Sequence, residues 1–261
     1  MKIAIIGAGN MGGAIARGLS KLCDESVERV IWVSNPSTPK LKALQKSNPT
    51  LQITTDNREA ADHADLVILA VKPWLMEQVC AEIPWSKERQ IVLSVAAGIT
   101  LEQLKQMTGP FDKALFRLVP NTAISLSESV NLIASQGATT EEEQLVKNLF
   151  EPLGLTMFLP EAKMAAGTAM TSCGIAYALK YIQAAMQAGI ELGIYPKDGM
   201  KMVAQTLKGA AELILQNEGT HPSVEIDKVC TPGGITIKGL NAMEANGFTR
   251  AVIEGLKASA K

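Results

Sequence analysis

Ile3-Ala4-Ile5-Ile6-Gly7-Ala8-Gly9-Asn10-Met11-Gly12 stands almost at the start of the chain, and its reading decides the fold. The four apolar residues read as a buried strand, and Met11–Leu22 reads as a helix. Between them Gly7, Gly9 and Gly12 fall in a G-x-G-x-x-G spacing. In that setting Gly7 permits a tight turn, Gly9 lets backbone N–H groups approach a pyrophosphate, and Gly12 lets the helix lie close to the sheet. The helix start adds unpaired N–H donors and the positive end of its dipole. Gly7, Ala8, Gly9, Asn10, Met11 and Gly12 are therefore the candidate phosphate loop of a dinucleotide site. Glycines also serve ordinary turns, but here the strand before them, the helix after them and their N-terminal position agree with the nucleotide reading.

Outward from this motif, short β-branched runs alternate with helical patterns to about residue 160. Lys2–Ile6, Val30–Val33, Leu66–Val71, Ile91–Val95, Leu115–Val119 and Asn131–Ala134 read as strands. Leu66–Val71 is apolar on both faces, as an interior parallel strand covered by helices must be. Pro39–Ser47, Asn57–Asp62, Leu75–Ile83, Leu101–Met107 and Glu141–Phe150 read as helices, with Thr38-Pro39 as an N-cap and first turn. The alternation predicts a Rossmann-type, doubly wound parallel sheet over residues 1–160. Residues 161–261 read as an all-α second domain. Its helices are Ala162–Leu192, Lys197–Gln216, Ser223–Val229, Ile235–Ala245 and Thr249–Ala260, with Asn246-Gly247 as a C-terminal cap.

Composition excludes several other classes. Lys+Arg (25) and Asp+Glu (26) cancel to −1 with no block of one sign, which argues against a nucleic-acid or membrane-surface partner. The longest strongly apolar run, Leu66–Val71, is far too short to span a bilayer. Met1 leads directly into the first strand with no secretory pattern, so a cytoplasmic location is expected. The four cysteines form no Cys-x-x-Cys pair and are expected as free thiols. With two histidines, a His-rich metal site cannot be built and no metal is expected; no Gly-x-Ser-x-Gly elbow supports a serine hydrolase.

Cofactor preference should show at the end of the second strand, where a carboxylate would take a ribose 2′-hydroxyl. The chain has Ser34-Asn35-Pro36-Ser37-Thr38 there, with Lys40 behind. Hydroxyls and an amide would meet a 2′-phosphate without repulsion, which favours NADPH or tolerance of NADPH and NADH alike. Ala70-Val71-Lys72-Pro73 and Ala96-Ala97-Gly98 end two further strands, at the edge where open α/β sheets bind ligands. Small residues there let a nicotinamide ribose lie against the backbone, and Lys72 is a candidate contact.

Over essentially all its residues the chain resembles the pyrroline-5-carboxylate reductases. The resemblance runs through Ile6–Gly12, Leu69-Ala70-Val71-Lys72-Pro73, Ser94–Ile99 and Val119-Pro120-Asn121-Thr122. Its most specific part is Val229-Cys230-Thr231-Pro232-Gly233-Gly234-Ile235-Thr236-Ile237-Lys238-Gly239-Leu240, followed by Glu244 and Gly247-Phe248. The resemblance implies hydride transfer from NAD(P)H to the C=N bond of 1-pyrroline-5-carboxylate, a small cyclic imine, in the last step of proline biosynthesis. It implies that Ser34 and Asn57 lie near the adenosine ribose, and that Ala70, Val71, Lys72 and Ala97 line the cofactor. It assigns Thr236 to the substrate nitrogen and Thr231, Gly233 and Gly234 to its carboxylate pocket. Glu161 is assigned to the substrate or the dimer contact. It also implies a homodimer, or a higher oligomer of dimers, through the helical domain.

The hydride step itself asks for two carbons held face to face and a hydrogen bond to the nitrogen, with no elaborate acid–base apparatus. Thr236, which the resemblance places at that nitrogen, is the candidate catalytic residue; the proton comes from its hydroxyl, from water, or with an imine already protonated. The chain departs from the family's usual pattern at Met170-Thr171-Ser172-Cys173-Gly174-Ile175-Ala176-Tyr177, which lacks a glycine and a proline, and at Asn121-Thr122-Ala123, which lacks a proline. The first departure makes the close geometry of the substrate pocket the place where a difference is expected. Two other readings remain: a β-hydroxyacid dehydrogenase or imine reductase, for which Lys180 is the available lysine, and a catalytically silent nucleotide sensor.

Overall fold

A computed structural model describes residues 1–21, 29–85, 89–110, 112–217 and 219–260. The first part alternates strand and helix: β1 (Lys2–Ile6), α1 (Asn10–Lys21), β2 (Val30–Ser34), α2 (Thr38–Ser47), β3 (Gln52–Thr54), α3 (Asn57–Ala61), β4 (Leu66–Leu69), α4 (Met76–Glu82), β5 (Gln90–Ser94) and α5 (Leu101–Thr108). It continues with β6 (Lys113–Val119), β7 (Ser129–Gln136), α6 (Thr140–Phe150) and β8 (Gly154–Phe158). Helices alone follow: α7 (Met164–Thr168), α8 (Gly174–Glu191), α9 (Pro196–Leu215), α10 (Pro222–Val229), α11 (Ile235–Ala245) and α12 (Phe248–Ser259). Leu22, the expected end of the first helix, and Cys23 lie outside the described residues.

The eight strands form one sheet in the order β3-β2-β1-β4-β5-β6-β7-β8. Its centre is buried on both faces. In β1, Ile3 and Ile5 join one apolar cluster with Ile15, Leu19 and Phe116, while Ala4 and Ile6 join another with Val67, Leu69 and Met76. Each fully buried isoleucine contributes about 1.5–3 kcal/mol relative to exposure, so the strand that carries the glycine turn is among the most firmly held.

Four features differ from the sequence expectation. β6 and β7 pair antiparallel, because the connection through the short 3₁₀ turn Thr122–Leu126 is too short for the crossover that parallel pairing requires. β3 and β8 are additional strands. β3 has only three residues, and β8 inverts the usual pattern, with Thr156 buried while Leu155 and Met157 are exposed. The expected helix Ala162–Leu192 is interrupted: a 3₁₀ turn at Glu161–Lys163 precedes α7, and a π-helical turn at Ala169–Cys173 separates α7 from α8. At the start of α2 the capping position is Ser37, one residue before the expected Thr38.

The chain divides into two compact units, Met1–Ser172 and Cys173–Lys261. The first includes α7, whose Met164 is buried in the sheet's core. In the second, Tyr177 at the start of α8 donates its hydroxyl to the Gly255 carbonyl of α12 at 3.3 Å. Gly199 is the only residue of that unit buried among the described ones.

Candidate functional site

Parallel register brings the carboxyl ends of four strands to one edge of the first unit. Ile6 of β1 lies opposite Ser34 of β2 and Leu69 of β4, and Leu69 lies opposite Ser94 of β5. The ladder runs on past the strands: Gly7 N–H donates to Ser34 O at 2.8 Å, Ala70 N–H to Ile6 O at 2.8 Å, and Val95 N–H to Leu69 O at 3.0 Å. The segments after β1, β2, β4 and β5 are thereby set side by side. Strand order reverses between β1 and β4, and open α/β sheets bind ligands at such a switch point.

The three glycines have three different surroundings. Gly7 has φ +107, and a Cβ there would stand 2.6 Å from Ala70 O. At Gly12 it would stand 2.0 Å from Gly7 O and 2.9 Å from Ala70 Cβ. At Gly9 it would meet nothing within 4 Å. Two glycines are thus required by packing, and the third keeps an open approach. Ala8 N–H is taken by Asn35 Oδ1 at 3.1 Å, whereas the amides of Gly9, Asn10, Met11 and Gly12 meet no protein acceptor among the described residues. α1 has no acidic residue in its first turn. An open floor with free amides at a helix start fits a pyrophosphate.

At the β2 end Ser34 is fully buried, and its hydroxyl donates to Asn57 Oδ1 at 2.7 Å. Asn57, half-buried at the start of α3, donates from Nδ2 to Glu82 Oε2 at 2.7 Å. Sequence reasoning found no carboxylate near this end. The structure brings one from α4, and no local pattern could have signalled it, because the link runs through Asn57 between segments far apart in the chain.

Ala70 and Val71 are half-buried beside the glycine turn, while Lys72 and Ala97 are exposed at the same edge. Lys72 Nζ lies 6.0 Å from the ring centre of exposed Trp74. Glu161 is committed inside the first unit, its Oε1 accepting from Arg117 Nη1 at 2.6 Å and from Leu101 N–H at 2.8 Å. It joins β6 to the start of α5, a role its sequence neighbours do not reveal. Asn121, which caps the 3₁₀ turn after β6, is buried; its Oδ1 accepts from Ala123 N–H and its Nδ2 donates to Thr171 O at 3.3 Å.

The remaining expected residues gather on the second unit, between α10 and α11. Gly233 takes φ +74, and Gly234 N–H closes the turn on Thr231 O at 2.9 Å. A Cβ on Gly234 would stand 2.6 Å from Thr231 Oγ1. Gly234 caps α11, and half-buried Thr236 is its second residue. The first amides of α11 are unpaired by helix geometry, and no acidic side chain competes for them. This is a compact anion-accepting turn with a hydroxyl beside it. Among the described residues no group of His, Cys, Asp and Glu could hold a metal ion.

Residues 2–98 match a family described as NADP oxidoreductase, coenzyme F420-dependent, and residues 161–261 match pyrroline-5-carboxylate reductase dimerisation. Pyrroline-5-carboxylate reductase 2 of Dictyostelium discoideum is 35% identical, over 99% of this chain and 91% of that protein. Pyrroline-5-carboxylate reductase 1 of the same organism is also 35% identical over 98% of this chain, which spans 48% of that longer protein. The crystal structure of the Plasmodium falciparum pyrroline carboxylate reductase with NADP bound is 26% identical, covers 100% of this chain and 95% of its own, and superposes with a TM-score of 0.86.

Proposed function

The chain belongs to the pyrroline-5-carboxylate reductase family, and from that premise we propose that it reduces 1-pyrroline-5-carboxylate to L-proline with NADPH, the last step of proline biosynthesis. One hydride goes to the imine carbon and one proton to the nitrogen. When bound, NADPH supplies the hydride. The amides of Gly9, Asn10, Met11 and Gly12 bind its pyrophosphate. Asn57, oriented by Ser34 behind it, faces the adenosine ribose, and Ala70, Val71, Lys72 and Ala97 line the groove. On the second unit, the amides of Gly233 and the start of α11 take the substrate carboxylate, with Thr231 and Gly234 closing the turn that shapes its pocket. Thr236 places its hydroxyl on the ring nitrogen, orienting the imine and offering the proton. Glu161 acts from behind, by fixing Arg117 and the α5 start.

The observation that carries this reading is the Thr231–Gly234 turn. It is closed on itself by Gly234 N–H, it leaves helix amides free for a carboxylate, and it sits in a chain that already has a dinucleotide turn. The hydroxyacid alternative finds no comparable support, since Lys180 Nζ is engaged by Gln183 Oε1 at 3.0 Å on an exposed face. We also read the protein as a homodimer, or an assembly of dimers. The second unit leaves Leu179, Leu192 and Ile235 exposed, the last two at 84% and 87%, which a second copy would cover. A cytoplasmic setting accords with Cys80, Cys173 and Cys230 as free thiols. The deciding experiment mixes purified protein, NADPH and 1-pyrroline-5-carboxylate and follows loss of the reduced cofactor's near-ultraviolet absorbance. Steady oxidation with formation of proline is expected; tight NADPH binding without turnover would leave a nucleotide-binding protein and remove the reductase assignment.

A further inference from the structure

Both ends of the Asn57 amide are engaged, and Glu82 decides which way it faces. An ionised carboxylate only accepts hydrogen bonds, so Asn57 must turn its NH₂ to Glu82 Oε2 and its oxygen to Ser34. Glu82 is itself braced, with Gln78 Nε2 on its Oε1 at 3.4 Å and Arg58 Nε on its backbone carbonyl at 3.1 Å. Neither contact neutralises it. Gln78 carries no charge, Arg58 meets the main chain, and among the described residues no ion pair reaches Glu82.

We propose that Glu82 is a specificity-determining residue of the cofactor site: through Asn57 it supplies the negative charge that the end of β2 lacks, and it weakens binding of a 2′-phosphate relative to a 2′-hydroxyl. The proposal rests on the groove being the NAD(P)H site. Its carboxylate is one amide away from the end of β2, where this fold reads the 2′ position. A phosphate monoester there carries nearly two negative charges and mainly accepts hydrogen bonds, so a fixed carboxylate repels it. A ribose hydroxyl is uncharged and can donate, so the same carboxylate costs it nothing. Glu82 therefore holds the two cofactors closer in affinity than the uncharged Ser34–Thr38 segment alone would.

Glu82→Gln keeps the shape and still offers Asn57 an acceptor, while removing the charge. NADPH and NADH are titrated separately into the full chain, with cofactor fluorescence reporting binding and no substrate present. The variant is expected to bind NADPH about five- to tenfold more tightly, with NADH changed less than about twofold. The gain should shrink in high salt, as a charge effect must. Gln78→Glu, at an exposed position, adds charge at the same place and is expected to shift the balance toward NADH. An unchanged NADPH-to-NADH ratio in both variants, or equal weakening of both cofactors, overturns the proposal and leaves Glu82 a structural brace. Wild-type protein that binds neither cofactor refutes the groove assignment, a different failure.

Discussion

Gly12→Ala and Gly9→Ala add the same methyl group three residues apart and should fail in opposite ways. At Gly12 the new Cβ would lie 2.0 Å from buried Gly7 O and 2.9 Å from half-buried Ala70 Cβ, neither of them the tip of a flexible side chain. The helix must lift from the sheet to admit it, at about 3 kcal/mol, the upper end for an overpacked core. Alanine's better helix propensity returns about 1 kcal/mol. The net loss of about 2 kcal/mol should lower the melting temperature by about 4–8 °C in a domain of this size, and the phosphate loop moves with the helix. At Gly9 nothing lies within 4 Å, so stability should stay within about 0.5 kcal/mol of wild type. The methyl group instead occupies the approach to the free amides and should raise the NADPH dissociation constant at least about tenfold. Thermal unfolding without ligand, paired with NADPH titration, separates the two effects. If Gly9→Ala melts like wild type and binds NADPH equally well, the cradle is a structural turn and the cofactor assignment of this edge falls.

Further outcomes follow from other contacts. Thr236→Ala should reduce kcat/KM by about 5- to 150-fold, the loss of one hydrogen bond of about 1–3 kcal/mol, with NADPH binding unchanged; steady-state kinetics and titration together check it. Leu179→Arg, on an exposed apolar face of α8, should move sedimentation from dimer to monomer and abolish turnover, and an active monomer would remove the dimer reading. Glu142 is hydrogen-bonded to Arg89 Nε at 2.6 Å, and that bond holds its carboxyl below the usual carboxylate value. The stability it contributes is full above the unfolded value of about 4.3 and is lost as pH falls through the lower folded value. Wild type should therefore out-melt Glu142→Gln near neutral pH, with the gap closing in acid; a gap independent of pH would refute the charge assignment.

The parts of this molecule that were legible in the sequence are those whose cause lies within a few residues. The β1 strand, the glycine turn and α1 are contiguous, and the turn's geometry follows from the spacing of Gly7, Gly9 and Gly12. β8 was not legible, because its outward Leu155 and Met157 and inward Thr156 reverse the pattern that marks a half-buried strand. The antiparallel β6–β7 pair was not legible from strand pattern alone, since both partners look like the parallel strands beside them. The Ser34–Asn57–Glu82 chain depends on three elements meeting in space, and each residue taken singly is unremarkable. The resemblance to known reductases reached Ser34 and Asn57, but only coordinates could add Glu82.

The long helix shows the same limit from the other side. The resemblance leads one to expect a proline where this chain has Ile175, and a proline there would remove a helix donor and widen the turn. Yet the turn is wide without it, as the π-helical Ala169–Cys173. Side chains from the same chain supply the reason. Thr171 Oγ1 donates back to Gly167 O at 3.0 Å, and Thr168 Oγ1 to Met164 O at 2.7 Å, competing for carbonyls the helix would use. Asn121, two residues past β6, adds a third bond by donating from Nδ2 to the Thr171 carbonyl at 3.3 Å. A bulge held by three hydrogen bonds from hydroxyl and amide side chains does not need an imino ring to open it. The widened turn where the first unit ends is therefore held by this chain's own hydroxyl and amide side chains, with Ile175 in place of a ring.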